Sequence, residues 1–157
     1  MNFTITKLTD ENIDAVCDAA TEFWHESDSN KGLTLRIDKY RAMLKQYMDD
    51  PYCCSIVALD AAGDLAGYIH IYTQSDYTNE LVGELYQFYV RKEYRGKGVA
   101  RLIVNAADTW YKEMGCARAY SEVGHGTNGR MIGAKLFENL WSKFGFNRNG
   151  YVLTKFY

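Results

Sequence analysis

The stretch Leu85-Tyr86-Gln87-Phe88-Tyr89-Val90-Arg91-Lys92-Glu93-Tyr94-Arg95-Gly96-Lys97-Gly98-Val99-Ala100 decides how this chain is read. Its first half is aromatic and β-branched and predicts a strand over residues 84–90. Its second half is a basic turn containing Gly96 and Gly98, and the turn opens a helix. Val99, Leu102, Ile103, Ala106, Trp110 and Met114 recur at helical spacing, and Gly115 follows as a C-terminal signal. The free N–H groups of a helix start, with the helix dipole behind them, attract an anion. Glycines there let the anion reach the backbone. The pattern is neither GxxxxGK[ST] nor GxGxxG, so it predicts a diphosphate cradle of another kind.

Working outward, Phe3 to Leu8 alternates as a first strand, and Thr9 or Asp10 is positioned to cap a helix. That helix carries Ile13, Val16, Cys17, Ala20, Phe23 and Trp24 on one stripe. A polar loop over residues 27–32 leads to a second helix with Ile37, Tyr40, Met43, Leu44, Tyr47 and Met48 on one face, ending before Pro51. Residues 53–59 and 65–72 read as a hairpin around Ala61-Ala62-Gly63-Asp64, with 84–90 the next strand of the meander. After the central helix come a strand over 116–123, a helix over 128–143, and one or two strands in the tail. The order βααβββαβαβ(β) predicts an α+β fold with a mixed, mostly antiparallel central sheet flanked by helices, in a single domain over residues 1–157.

Composition narrows the function. The chain has 157 residues and no apolar run long enough to span a bilayer, and its start has no signal-peptide character. A cytoplasmic location and no membrane partner are expected. Cys17, Cys53, Cys54 and Cys116 show no CxxC spacing, and His25-Glu26 is followed by Ser29 rather than a second histidine, so no metal is expected. Residues 1–80 hold 14 acids against 6 bases, whereas residues 81–157 hold 6 acids against 12 bases. A basic second half suits an anionic ligand, but the acidic first half argues against nucleic acid.

Arg95-Gly96-Lys97-Gly98-Val99-Ala100 resembles [Q/R]xxGx[G/A], the coenzyme A pyrophosphate loop of the GNAT N-acetyltransferases. Lys143-Phe144-Gly145-Phe146 is similar to the family's late glycine-phenylalanine element, and Gly67 sits where the family often has glycine. The resemblance covers almost the whole chain. It implies a GNAT fold and an acetyl-CoA-dependent enzyme that passes acetyl directly to a primary amine. It implies cofactor contacts from Arg95, Gly96, Lys97, Gly98, Val99 and Ala100 to the pyrophosphate. Phe88, Tyr89 and Val90 would pair through their main chain with the pantetheine arm. A CoA-binding regulatory module with little turnover is the alternative, and a monomer or homodimer is expected.

For the catalytic base, Glu84 is the nearest carboxylate on the cofactor strand. The family often has its acid two positions later, where this chain has Tyr86. Glu122 and His125 are rivals. For the acid that protonates the leaving thiolate, the family commonly uses a tyrosine four residues before the late glycine; Trp141 stands there. Another tyrosine could substitute, or the thiolate could leave unassisted. In this family the region around residues 20–36 borders the acceptor. Glu22, Glu26 and Asp28 beside Trp24 and His25 there suit a cationic amine.

Overall fold

The computed structural model describes residues 2–27, 30, 32–75, 79–121 and 141–145. Five strands form one sheet in the order β1-β2-β3-β4-β5: β1 Thr4–Lys7, β2 Cys53–Leu59, β3 Leu65–Gln74, β4 Val82–Val90 and β5 Arg118–Ser121. The first three pairings are antiparallel; β4 and β5 are parallel. A parallel pair cannot be joined by a tight turn, and the connection is the helix α3, Val99–Glu113. Helices α1, Ile13–Glu26, and α2, Ile37–Asp49, come between β1 and β2. The mixed, mostly antiparallel sheet flanked by helices matches the expected fold.

Both sheet faces are covered, which is why β2 and β3 read as nearly continuous apolar runs. On one face Ile56, Ile69, Ile71 and Val90 pack against Val99, Ile103, Ala107 and Trp110 of α3. On the other, Val57, Tyr68 and Tyr89 pack against Val16, Cys17 and Ala20 of α1 and Leu44 of α2. Burying each large aliphatic side chain contributes about 1.5–3 kcal/mol, so the two layers hold the sheet independently of any ligand.

Three boundaries differ from expectation. Helix α1 is entered through Asn12, not Thr9 or Asp10: the Asn12 side-chain oxygen accepts from the Thr9 N–H at 3.0 Å, closing a turn ahead of the helix. Ile37, expected on the buried face of α2, is exposed, because the helix has only begun there. Strand β3 runs on to Gln74, and β4 starts two residues early, at Val82. Of the helix expected over 128–143, Trp141, Ser142 and Lys143 are among the described residues; the first two are helical and Lys143 is already in a turn. The rest of that helix and the tail strands, like Glu122, His125 and Asp28, lie outside them.

Candidate functional site

The register between β3 and β4 shifts at one point. Ile71 faces Leu85 but His70 faces Gln87, so Tyr86 is an extra residue on β4, a β-bulge. The bulge changes which side chains share a face. Glu84 is the register partner of Tyr72, Tyr86 stacks edge-on with Tyr47 of α2 at 6.5 Å, and Gln87 accepts from the Tyr40 hydroxyl at 2.8 Å. All three lie on the α1/α2 face. Phe88 lies on the other, packed against the α3 layer and Trp141.

Among the described residues the β4–β5 ladder reaches Leu85 opposite Ser121, just before the bulge. Among the described residues, 87–90 have β3 on one side and no strand on the other. An open strand edge offers main-chain donors and acceptors to an extended ligand. Phe88, Tyr89 and Val90 therefore stand where an arm could pair.

Beyond Val90 the chain makes a single 3-10 turn, Lys92–Tyr94, then Gly96 and Gly98 with φ of +76° and +88°. Side chains rarely adopt that backbone, and a Cβ at either glycine would point into open space. Gly98 is the N-cap of α3, and among the described residues no side chain caps the helix. The first amides of α3, around Val99 and Ala100, thus follow a loop whose Gly96 and Gly98 put no side chain in the way, which suits a diphosphate. Lys97 lies over the Tyr94 ring at 5.7 Å.

The loop is fixed from two sides. The Tyr94 hydroxyl donates to Asp60 of the β2–β3 turn at 2.8 Å; that bond raises the phenol to about 12 and holds the Asp60 carboxyl below the usual range. Arg95 turns away from the cradle. Its Nε donates to the Val90 carbonyl at 2.9 Å, its Nη2 pairs with Glu26 at 2.7 Å, and its guanidinium lies over the Tyr89 ring.

This changes the picture of the acceptor border. Glu22 and Glu26 are four apart on α1 and point at the cofactor side. Glu22 pairs with Arg91 at 2.8 Å, and Glu26 pairs with Arg95 and Lys92 and accepts from the Tyr89 hydroxyl at 2.6 Å. Burial pushes the Glu26 carboxyl up, but the Tyr89 and Arg95 hydrogen bonds more than reverse it, leaving it below its ordinary value. The acidic and basic halves of the sequence meet in this cluster and compensate one another. Trp24 is half-buried on another side of the helix, where its carbonyl accepts from Asn30.

Glu84 is held by neighbouring strands. Its Oε2 accepts from the Tyr120 hydroxyl of β5 at 2.5 Å and from Gln74 at 3.4 Å. The Tyr72 phenol, raised first by burial and then by its hydrogen bond to Glu84, is a further partner. Tyr86 is 54% exposed and Tyr120 38% exposed beside this carboxylate. Sequence reading did not single out Tyr120, because its meeting with Glu84 depends on the parallel register.

A buried polar chain was also not foreseen. Gln87 Oε1 only accepts, so Tyr40 donates to it; the Tyr40 oxygen then accepts from His70 Nε2–H at 2.7 Å, and His70 Nδ1 accepts from Ser55 at 2.8 Å. His70 is completely buried, and burial pushes it down to about 3, so it is neutral. The chain ties β2, β3 and α2 to the residue next to the bulge. A cavity of about 220 Å³ lined by Lys7, Asp50, Cys53 and Trp110 lies at the opposite end of the strands from the loop and holds none of the expected site residues. Among the described residues no group of three or more His, Cys, Asp or Glu could hold a metal, and no helix is long and apolar enough to cross a membrane.

Comparison with known proteins agrees with this fold. The model of the acetyltransferase (GNAT) family matches residues 13–146. An aminoglycoside N(6')-acetyltransferase type 1 from Stenotrophomonas maltophilia is 29% identical over 83 residues, covering 50% of this chain and 54% of that protein. The match therefore spans about half the length of that relative. The fold is shared with AAC(6')-Iy in complex with the bisubstrate analogue CoA-S-monomethyl-acetylneamine (TM-score 0.78, 17% identity, 100% of this chain and 99% of that one). It is shared equally with glucosamine-6-phosphate N-acetyltransferase from Arabidopsis thaliana (TM-score 0.73, 14% identity, 100% and 99% coverage).

Proposed function

Because this chain belongs to the GNAT acetyltransferase family, we propose that it is an acetyl-CoA-dependent N-acetyltransferase acting on a cationic primary amine. The observation that carries this is the end of β4, paired on one side only among the described residues, leading into Gly96 and Gly98 at the start of α3. The cradle takes the diphosphate, and main-chain groups of Phe88, Tyr89 and Val90 take the pantetheine arm. An arm lying in that direction brings its reactive end to the bulge at Tyr86. There the protein orients the two reactants and polarises the carbonyl with a backbone N–H.

Glu84 is the base that takes the proton from the acceptor ammonium, since it lies on the open face one turn of the pleat from the bulge. The exposed rings of Tyr86 and Tyr120 beside it favour a cation through their π faces. The relative from Stenotrophomonas maltophilia is named for aminoglycosides, which makes an amino sugar of that type the first acceptor to try.

Calorimetry with CoA and an acetyl-transfer assay over aminoglycosides, polyamines and lysine peptides test the reading. Wild type binds CoA and Gly98→Glu does not, because a carboxylate fills the cradle. Glu84→Gln lowers turnover by about 10²–10⁴ with CoA affinity unchanged. Unchanged CoA affinity in Gly98→Glu removes the cofactor assignment. CoA binding without transfer to any amine favours a regulatory, CoA-binding role instead.

A further inference from the structure

The position at which a tyrosine was looked for is filled by an indole, which cannot serve as an acid. Trp141 is also buried, and it packs edge-on against Phe88 at 5.5 Å, on the sheet face opposite Glu84. It belongs to the core. We propose that Tyr120 is the catalytic acid that protonates the departing thiolate of CoA, and that Glu84 resupplies its proton. This rests on the acetyltransferase reading above and adds to it a residue and a proton path.

Three observations place Tyr120 for that task. It is the register partner of Glu84 across the β4–β5 ladder, two residues before the bulge at Tyr86 in the β4 register. Its hydroxyl donates to Glu84 Oε2 at 2.5 Å, so acid and base share one hydrogen bond. And the ring is 38% exposed on the α1/α2 face, the same side as the bulge residue Tyr86, rather than packed into the core. Gln74 of β3 reaches across β4 and donates to the Tyr120 oxygen at 2.8 Å, which helps to fix the hydroxyl.

The proton balance follows. The acceptor ammonium gives one proton to the Glu84 carboxylate, and the freed amine attacks the thioester carbonyl carbon, forming the N–C bond. The adduct collapses; the C–S bond breaks with its electron pair on sulfur, and the Tyr120 hydroxyl proton goes to sulfur. The proton on Glu84 then crosses the existing hydrogen bond to the Tyr120 oxygen, and both residues return to their starting forms. A second proton leaves the new amide nitrogen to solvent, so one proton is released per turnover. A phenol alone, with an ordinary pKa near ~10, is a weak acid toward a thiolate near ~8.5. With a protonated carboxyl hydrogen-bonded behind it, the phenol is resupplied as it donates, so no phenolate is left. The pairing thus supplies what neither residue supplies alone.

The test compares wild type with Tyr120→Phe, which keeps the ring and removes the hydroxyl. Turnover falls by about 10²-fold while the amine KM changes less than about threefold. The double variant Glu84→Gln/Tyr120→Phe is no slower than the slower single one, because the two residues act as a unit. A second readout needs no turnover: calorimetry with CoA and with desulfo-CoA, which has hydrogen in place of the thiol. Wild type prefers CoA by several-fold, and Tyr120→Phe binds the two alike. Turnover of Tyr120→Phe within threefold of wild type, additive losses in the double variant, or an unchanged preference for CoA each overturn the proposal. Wild type that binds neither compound overturns the acetyltransferase reading, and this inference with it.

Discussion

Glu26, in the last turn of α1, and Arg95, in the cofactor loop, are joined Oε2 to Nη2 at 2.7 Å across 69 residues of chain. The same arginine holds the Val90 carbonyl, so the end of β4, the loop and the acceptor-side helix form one braced unit. Arg95 is a strut of the cradle, with its guanidinium directed away from the cradle's amides. Helix α1, the end of β4 and the glycine loop are thereby mechanically linked through Glu26 and Arg95.

Removing the brace costs cofactor affinity. A partly exposed ion pair is worth up to about 1 kcal/mol, so Glu26→Gln weakens CoA binding by about three- to fivefold. The gap to wild type narrows as salt rises, because the pair is screened. Calorimetry at two ionic strengths measures both effects. A tighter complex in Glu26→Gln would mean that the glutamate competes with the diphosphate for Arg95.

His70 makes stability depend on pH. Its folded value, about 3, lies below the ordinary ~6.5, so the unfolded chain binds the extra proton in between. Its contribution is complete above pH ~6.5 and is lost as pH falls towards 3. At pH 5 the loss is about 2 kcal/mol, or roughly 4–8 °C in Tm for a chain of this size. Thermal melts from pH 7.5 to 5 show that slope in wild type and a shallower one in His70→Gln. Equal slopes would remove His70 as the cause.

Tyr40→Phe strands one buried and one half-buried group at once. His70 Nε2–H loses its acceptor and Gln87 Oε1 its donor, at about 1–3 kcal/mol. Because Gln87 adjoins the bulge, turnover also falls while CoA affinity is kept. Melting and steady-state kinetics together check this; lost stability with wild-type kcat would confine the chain of hydrogen bonds to folding.

Gly67→Ala disrupts the end of β4. A Cβ there would sit 2.7 Å from the Tyr89 carbonyl oxygen and 3.3 Å from the Ile103 side chain. Backbone cannot yield as a flexible side chain does, so the strand shifts at a cost of about 1–3 kcal/mol. Urea melts give the loss, and CoA affinity falls with it, since Tyr89 and Val90 lead into the cradle. A substitution without effect on either would show that the strands part easily here.

Much of this was readable from local chemistry. Gly96 and Gly98 between a strand and an amphipathic run announce a turn that opens a helix, since few residues tolerate that backbone. The stripe from Val99 to Trp110 announces the crossover, because a period near 3.6 buries one side of a helix. That Glu84 lies on the strand leading to the loop was legible as well, because the apolar alternation marks that strand. By contrast, Tyr86 and Gln87 look like two more alternating residues. An inserted residue in a ladder leaves no trace in composition, so the loss of alternation at Gln87 became visible only with the register.

The same division holds for the charges. That the second half is basic and the first acidic follows from counting, because formal charge belongs to each residue wherever it lies. Where those charges are spent does not, because Coulomb attraction depends on separation. Glu22 and Glu26 could have faced an incoming amine; packing of α1 against Tyr89 instead sets them beside Arg91, Lys92 and Arg95. Tyr120 and Glu84 likewise lie 36 residues apart in sequence and 2.5 Å apart in space, brought together by the parallel ladder that α3 makes possible.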